Sequence, residues 1–307
     1  MKTFIREISV KSVLITGITC YIGCELARSL VKKGVSVSGI VRNDSQVNRL
    51  SPFQDQISLF VSDGTQTSLD VAVKKSEPDV IIHLAGYYVW EHTPADEALL
   101  IEGNVAFGMR LLEAARKNGI YRIINTGSHF QYFESEQPSP INRYAQTKQD
   151  FADILYEYSK DYDFQFVNLI IFESYGPRDW RNKLIQAIVQ NQRSGGTLTI
   201  VASDPVMDFA YIDDIVDAYI QAAYLLQNSP REVCGNSYAL TGGERKSISE
   251  LIKIFEKIGG KSIMTEKKED PANVKRIHMP WNGPTLPGWK PKISLYSGIK
   301  RFLRDFC

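Results

Sequence analysis

Three side chains of the types that reduce a carbonyl group follow one another in the sequence: Ser128, Tyr144 and Lys148. Tyr144 and Lys148 are four residues apart, a spacing that places both on one face of a helix. Reduction needs a proton donor at the carbonyl oxygen while hydride reaches the carbon. The ordinary pKa of tyrosine is about 10, and a neighbouring ammonium is expected to lower it. The trio therefore predicts hydride transfer.

A glycine-containing turn supplies a place for the hydride carrier. It lies between an apolar run that ends at Thr16 and a helical pattern that begins near Ile22. In this strand–turn–helix context, backbone N–H groups and the helix N-terminus face a pyrophosphate. We therefore expect a dinucleotide to contact the turn residues Gly17, Thr19, Cys20, Tyr21, Ile22 and Gly23.

The end of the second apolar run indicates which dinucleotide is bound. An acidic residue there would accept hydrogen bonds from the adenosine ribose, whereas arginine accommodates a 2′-phosphate. The sequence has Val41 at the expected acidic position and Arg42 next to it. A guanidinium suits a phosphate because it donates two charge-assisted hydrogen bonds. The sequence therefore predicts NADP, with NAD as the less favoured cofactor.

Alternating strand and helix patterns position these residues. The strand candidates are Ser12 to Thr16, Ser36 to Val41, Ile57 to Val61, Val80 to Leu84, Arg122 to Thr126 and Phe164 to Phe172. Helical patterns lie between them, including Leu99 to Lys117. This alternation predicts an α/β fold with a doubly wound parallel sheet. We expect residues 1–176 to form the dinucleotide-binding domain, and residues 177–307 mainly a smaller substrate-binding region with some segments returning to the sheet.

Composition narrows the class of protein. The chain has 307 residues and a net charge of 36 − 35 = +1, which offers no electrostatic footprint for nucleic acid or membrane. It has no apolar stretch of the roughly 20 residues that cross a bilayer, and no signal peptide is recognised at its start. Four cysteines without C-x-x-C spacing predict reduced thiols, a cytoplasmic location and no metal site. Cys20 and Cys24 could differ from ordinary thiols, because a nearby helix N-terminus would lower the pKa of a thiol.

Together these segments resemble the extended short-chain dehydrogenase/reductases, which include nucleotide-sugar epimerases, dehydratases and ketoreductases. The turn matches their T-G-x-x-G-x-x-G signature except that Cys20 replaces the middle glycine, and Tyr144 and Lys148 match their Y-x-x-x-K motif. The resemblance implies a Rossmann-type fold in which Lys148 holds the nicotinamide ribose and Ser128 hydrogen-bonds the substrate oxygen. It also implies cofactor contacts from Tyr144, Asp63, Gly64, Leu84, Ala85, Gly86 and Asn104.

The residues after Ser128 separate the reactions of this family. In similar 4,6-dehydratases an Asp-Glu pair follows the catalytic threonine, whereas this chain has His129 and Phe130. Phe130 cannot exchange a proton, so dehydration is disfavoured. The stretch from Ser128 to Gln149 is most similar to the ketoreductases of the CDP-abequose and CDP-paratose synthase type. The resemblance therefore predicts NADPH-dependent reduction of the 4-keto group of a nucleotide-linked 4-keto-6-deoxysugar, as in O-antigen or related glycan biosynthesis.

The substrate side departs from the family pattern. Glu173 replaces a common asparagine in R-x-F-N-x-Y-G-P, and Met207 replaces the arginine of R-D-F-x-x-V-D-D that contacts the substrate nucleotide. We expect substrate contacts from Ser128, His129, Phe130, Glu173 and Met207, and phosphate contacts from Arg178, Arg181 and Lys183. Similar proteins are often dimers, which predicts a homodimer built from segments Leu99 to Lys117 and Tyr144 to Tyr158.

Two alternatives remain open at the level of the sequence. One is an epimerase that retains NAD and would be purified with the cofactor bound. The other is a catalytically silent dinucleotide-sensing protein, which Cys20 and Met207 favour. The complete Ser128, Tyr144 and Lys148 set argues against a sensor, which would have no use for it.

Overall fold

The computed structural model describes residues 10–270 and 274–305. In this part of the chain the strands are β1 (Ser12–Thr16), β2 (Ser36–Val41), β3 (Ile57–Val61), β4 (Val80–His83), β5 (Arg122–Ser128), β6 (Gln165–Ile171), β7 (Glu173–Tyr175), β8 (Thr197–Val201), β9 (Val206–Tyr211), β10 (Asn236–Leu240), β11 (Arg245–Ser247) and β12 (Met264–Lys268).

The helices alternate with these strands in the first half of the chain. They are α1 (Tyr21–Lys32), α2 (Gln66–Ser76), α3 (Pro94–Ile101), α4 (Phe107–Lys117), α5 (Arg143–Tyr162), α6 (Leu184–Ser194), α7 (Ile212–Asn228), α8 (Pro230–Val233), α9 (Ile248–Gly259) and α10 (Leu295–Asp305). Short 3₁₀ segments cover Val47–Gln56 and His129–Gln131.

Seven strands form one parallel sheet in the order β10-β6-β5-β4-β1-β2-β3. The chain winds from β1 outward through β2 and β3, then returns to β4 on the other side of β1. The carboxyl ends of β1 and β4 therefore border the switch point, where open α/β sheets bind ligands. This topology confirms the predicted doubly wound, Rossmann-type sheet.

Both faces of the sheet are covered, which explains the nearly continuous apolar strands. Val13 and Ile15 of β1 belong to a large buried cluster that includes α1 and α7 residues, whereas Leu14 joins a second cluster with α2, α4 and α5 residues. The alternation of side chains along a strand thus divides β1 between two cores. The sheet is consequently a rigid platform for residues at its carboxyl edge.

The helix expected from Leu99 to Lys117 contains an irregular turn. Residues Glu102–Ala106 form a π-helical turn between α3 and α4, although the flanking backbone stays in the right-handed helical region. Such turns are frequent at functional sites, and this one carries Asn104. Periodicity alone does not predict an extra residue inside a turn.

The second half of the chain forms smaller sheets beside the main one. Strands β11, β9 and β7 form a three-stranded sheet, and β12 pairs with β8. Strand β10 joins the edge of the main sheet next to β6. Within residues 10–270 and 274–305, no helix is both long and apolar enough to cross a membrane.

Candidate active site

A cleft of about 690 Å³ opens at the switch point of the sheet. Its walls come from the turn after β1, the ends of β2 and β4, and the π-helical turn before α4. Nine of the residues expected to contact the cofactor line it: Gly17, Thr19, Cys20, Arg42, Asp63, Gly64, Leu84, Ala85 and Gly86. The cleft has the location and the lining that a dinucleotide requires.

Two glycines allow the turn to pack closely. Gly17 has φ +70°, and a Cβ there would come within 2.7 Å of the Ala85 backbone nitrogen. A Cβ on Gly23 would lie 2.4 Å from the carbonyl oxygen of Gly17. Both positions therefore exclude a side chain, and the first turn of α1 is drawn tightly against the cleft.

Gly23→Ala is expected to push this turn apart, because the contact it creates is with backbone that cannot move aside. We expect lower stability and weaker dinucleotide binding, measured by thermal unfolding and by NADPH titration. Gly119→Ala is the control: its Cβ would meet nothing within 4 Å, so its positive φ of +73° should lower stability without weakening NADPH binding. An NADPH affinity lost equally in both variants would contradict the packing argument.

Cys20 occupies the position that similar proteins give to glycine. It is the N-cap of α1, where its Sγ accepts a hydrogen bond from the Gly23 N–H at 3.3 Å. The residue is exposed at the cleft, yet the surrounding protein raises the pKa of its thiol, and the backbone hydrogen bond opposes this only in part. Burial likewise raises the pKa of the Cys24 thiol to about 12. The expectation of a lowered thiol pKa at this helix terminus is therefore wrong, because desolvation outweighs the helix.

Tyr21 and Ile22, also expected at the cofactor, lie beneath the turn. Both are buried in the large cluster, and the Tyr21 hydroxyl donates to the carbonyl oxygen of Pro177 at 3.1 Å. Burial raises the Tyr21 pKa far above its ordinary value. These side chains anchor α1 and do not line the cleft.

Arg42 lies at the outer end of the cleft, directly after β2. Its side chain is 78% exposed and pairs with Asp44 at 3.1 Å. A second cation, Arg49, lines the same cleft; its Nη1 donates to the Thr19 carbonyl oxygen and its guanidinium lies 4.2 Å from the Trp180 ring centroid. Sequence reasoning missed Arg49, because it follows an irregular loop with no pattern of its own.

Asn104 joins the cleft wall to the catalytic helix. Its Nδ2 donates to the Tyr87 carbonyl oxygen at 3.0 Å and to the Thr147 hydroxyl at 2.9 Å, while its Oδ1 accepts from the Tyr87 N–H at 2.7 Å. Asn104 and Thr147 are buried. The amide of Asn104 therefore sets the distance between the segment after β4 and helix α5.

Ser128 is the last residue of β5, and residues that follow it in the chain hold it in place. Its N–H donates to Gln131 Oε1 at 2.8 Å, its Oγ accepts from the Phe130 N–H at 3.3 Å, and Gln131 Nε2 donates to Gln149 Oε1 at 2.9 Å. Gln131 is buried and ties Ser128 to helix α5. The S-x-x-Q capping-box spacing was the signal that could have identified Gln131.

Tyr144 lies in the first turn of α5, with its phenol beside the Ser128 side chain. Burial raises the Tyr144 pKa above its ordinary value, Tyr88 and Glu173 add to this, and the neighbouring Ser128 hydroxyl opposes it. The Tyr88 ring meets Tyr144 edge-on, with centroids 4.9 Å apart. The expected lowering by the Lys148 ammonium is not observed, because desolvation dominates. Tyr144 is consequently a protonated phenol at neutral pH.

Lys148 follows one turn later on the same helix. It is 5% exposed, and its Nζ lies 3.9 Å from the position of a Cβ on the cleft residue Gly86. Burial lowers the Lys148 pKa to about 8. The structure thus brings Ser128 and Tyr144 together and sets Lys148 beside the cofactor cleft.

His129 and Phe130 form an aromatic wall beyond Ser128. His129 stacks on Phe172 with centroids 5.1 Å apart, and burial lowers its pKa to about 4, so that the ring is neutral. Neither ring nitrogen has a hydrogen-bond partner among the described residues. Phe130 packs against Trp90 at 4.9 Å. Neither residue of this wall carries a carboxylate.

Glu173 and Lys183 form an ion pair of 2.7 Å beside this wall. Burial raises the Glu173 pKa, but Lys183 and His129 outweigh it, and the net pKa lies below the ordinary value. Glu173 is therefore ionised, and its charge acts on His129, Tyr88 and Tyr144.

Arg178 and Arg181, expected to bind substrate phosphate, are engaged with carboxylates. Arg178 donates to both oxygens of Glu25, at 2.9 and 2.5 Å. Arg181 donates to both oxygens of Asp179 at 2.7 Å and stacks on Tyr21 at 4.4 Å. The pair of Arg178 with Glu25 and the contact of Arg181 with Tyr21 fix the loop after β7 to helix α1. Met207, also expected at the substrate, lies in β9 and packs partly buried against the large cluster.

Comparison with known proteins agrees with this geometry. Residues 13–234 match the sequence profile of the NAD dependent epimerase/dehydratase family. A CDP-abequose synthase from Salmonella typhimurium is 27% identical over 98% of this chain and 99% of its own length.

Solved structures with the same fold cover nearly the whole chain. A UDP-glucose 4-epimerase from Thermus thermophilus, in complex with NAD, superposes with a TM-score of 0.80 at 21% identity over 96% of this chain and 98% of that one. A dTDP-glucose 4,6-dehydratase from Streptomyces venezuelae, also with NAD, has a TM-score of 0.83 at 21% identity over 96% of both chains. The family profile spans well over half of the chain, and the site lies within it. The chain therefore belongs to the NAD-dependent epimerase/dehydratase family, the extended short-chain dehydrogenase/reductases.

Proposed function

We propose that this enzyme uses NADPH to reduce the 4-keto group of a nucleotide-linked 4-keto-6-deoxysugar. The observation that carries the proposal is the partly buried Tyr144 phenol, which lies beside Ser128 and is kept protonated by its raised pKa. A carbonyl oxygen that gains negative charge needs such a proton donor beside it. Family membership and the similarity to a CDP-abequose synthase support a sugar nucleotide as the substrate.

In this proposal each residue of the site has a separate role in the reaction. A reduced nicotinamide supplies the hydride when it is bound. Tyr144 donates its proton to the carbonyl oxygen, and Ser128 orients that oxygen while Gln131 holds Ser128 in place. Lys148, next to Gly86, would hold the nicotinamide ribose, and Asn104 keeps the cleft wall aligned with α5.

Dehydration fits the site poorly. It would require proton transfer to and from sugar carbons next to the carbonyl, and the two residues after Ser128 are a neutral imidazole and a phenyl ring. Epimerisation is the second candidate, because epimerases have the same fold and need no further acid or base. An epimerase returns the hydride to the same carbon, so it consumes no NADPH. A dinucleotide sensor, the candidate of another class, would not require the Tyr144–Ser128 pair.

The proposal that NADP is the cofactor depends on two arginines of the cleft, Arg42 and Arg49. Both guanidinium groups line the cleft, one directly after β2 and the other beside Thr19. We propose that they bind the 2′-phosphate of the cofactor. Arg42 should contribute more, because it follows Val41, the position at which an NAD enzyme would have an acidic residue beside the adenosine ribose. The pairing with Asp44 is exposed and therefore weak, so a phosphate can replace it.

Arg42→Ala is expected to weaken NADPH binding by about tenfold, the effect of losing one charge-assisted hydrogen bond to phosphate. NADH affinity should be nearly unchanged. Titration of both cofactors by fluorescence measures the ratio. Arg231→Ala, at an exposed arginine of α8, serves as the control for the lost charge. An unchanged NADPH to NADH preference in Arg42→Ala would remove the argument for NADP.

The proposed reaction is tested by mixing the protein with NADPH and 4-keto-6-deoxyhexoses on CDP, dTDP and GDP. Absorbance of the reduced nicotinamide should fall with at least one carrier. Protein that contains bound NAD and interconverts 4-epimers without consuming NADPH would favour the epimerase. Cofactor binding without turnover of any of these sugars would favour the sensor.

The quaternary structure and location remain predictions. Helices α3, α4 and α5 expose apolar side chains at Leu99, Ile101, Met109 and Tyr156, each more than 40% accessible. We propose that these faces form a homodimer of a cytoplasmic enzyme. Sedimentation equilibrium should give twice the mass of one 34.7 kDa chain, and a monomer would contradict this interface.

A further inference from the structure

A half-buried lysine stands directly opposite Met207. Strands β9 and β11 are antiparallel, and their register pairs Lys246 with Met207. Side chains of directly opposed residues share one face of the sheet, with Cβ atoms about 5 Å apart. The neighbouring pair supports this register, since Arg245 Nε lies 3.7 Å from the Asp208 carboxylate on the other face. Lys246 therefore shares a face of the small sheet with Met207.

The same face leads to the catalytic tyrosine. Met207 and Phe209 are two residues apart on β9 and point to the same side. Phe209 is the register partner of Glu173 on the parallel strand β7. The charge of Glu173 is close enough to raise the pKa of Tyr144. From strand spacing, the Cα atoms of Lys246 and Glu173 are about 12 Å apart. A hexose and the first phosphate attached to it span a similar distance.

Lys246 is a cation that has no counter-charge among the described residues. Lys183 is paired with Glu173, and Arg178 and Arg181 are paired with Glu25 and Asp179. Within the described residues, by contrast, the Lys246 side chain makes no ion pair and no hydrogen bond. An anionic ligand on this face would therefore meet an ammonium that no carboxylate of the described residues neutralises.

We propose that Lys246 binds the diphosphate of the substrate's nucleotide. This inference rests on the proposed function, which requires a diphosphate linked to the sugar that reaches Tyr144. Met207 contributes no charge to such a group, and its cross-strand neighbour supplies the missing one. An ammonium is a compact point charge that does not require bidentate geometry, so the diphosphate can bind without a matching planar fork.

The test is titration of the full-length protein, saturated with NADPH, with CDP, dTDP and GDP. We expect at least one of these nucleoside diphosphates to bind. Lys246→Met should raise its dissociation constant by about ten- to a hundredfold, as expected for the loss of a charged hydrogen bond to phosphate. The affinity for the corresponding nucleoside, which lacks phosphates, should stay the same. Lys253→Met, at an exposed lysine of α9, is the matched control and should change neither affinity.

A rescue variant separates charge from packing. Met207→Arg, combined with Lys246→Met, returns a cation to the same face one strand away. It should recover most of the lost affinity for the nucleoside diphosphate. An unchanged NADPH affinity in both variants shows that the protein is folded and that the cofactor cleft is intact.

The outcomes distinguish this inference from the proposed function. If Lys246→Met keeps the nucleoside diphosphate affinity, or loses nucleoside affinity equally, the role of Lys246 is wrong and the ketoreductase proposal stands. If the diphosphate affinity falls as expected but no ketosugar is reduced, the reductase proposal is wrong and the role of Lys246 stands. If the wild-type protein binds none of the three nucleoside diphosphates, both are wrong.

Discussion

Tyr144→Phe should reduce the turnover of a ketosugar by a factor of about 10² to 10⁴, the usual contribution of a positioned general acid. The phenyl ring keeps the edge-on contact with Tyr88 but cannot donate a proton to the substrate oxygen. NADPH affinity should be nearly unchanged, because the hydroxyl faces Ser128. Stopped-flow measurement of a single turnover separates the hydride step from binding.

A matched control removes a tyrosine hydroxyl elsewhere. Tyr121→Phe changes an exposed side chain that packs on Phe164, and it should leave turnover intact. If Tyr144→Phe lost cofactor affinity and turnover in equal measure, Tyr144 would be a binding residue and not the proton donor. If it kept full turnover, the assignment of the active site would be wrong.

Lys148→Met should stabilise the protein while it removes activity. Burial lowers the Lys148 pKa from 10.5 to about 8, so folding disfavours the charged form. A shift of this size corresponds to a cost on the order of 3 kcal/mol at pH 7, which methionine would not incur. The side chain is 5% exposed, so water screens little of this cost. Turnover and NADPH affinity should both fall, as expected when a site is maintained at the expense of stability.

The gain in stability expected for Lys148→Met should depend on pH. Between about pH 8 and 10.5 the folded protein binds fewer protons at Lys148 than the unfolded chain, so the stability of the wild type rises with pH. The advantage of Lys148→Met should be complete below pH 8 and disappear toward pH 10.5. Urea unfolding at several pH values measures this, with the exposed Lys253→Met as control. A less stable variant at pH 7, or a difference independent of pH, would contradict the assignment.

The strands that position the site could be predicted from the sequence almost to the residue. Apart from the edge strand β3, those of the main sheet up to β6 are largely buried on both faces, so their apolar runs end where the backbone leaves the sheet. Ser128, Tyr144 and Lys148 follow from the same logic, because a strand end and a helical spacing of four residues fix their relation.

The parts that were not predicted depend on contacts between distant segments. The partners of Arg178 and Arg181 cannot be found from a charged loop alone, since Glu25 is 153 positions away from Arg178. The raised pKa of Tyr144 reflects burial by surrounding elements, which local spacing does not measure. The role proposed for Lys246 could not be predicted from the sequence, because it depends on the strand register that sets this residue opposite Met207.

The most direct test of the proposed reaction uses NADPH that carries deuterium at the transferable position of the nicotinamide. Incubated with the 4-keto-6-deoxyhexose nucleotide that supports NADPH oxidation, the enzyme should place one deuterium at C4 of the sugar for each NADPH consumed, as measured by mass spectrometry and NMR. Consumption of NADPH that leaves no deuterium at C4 of the sugar product would contradict the account.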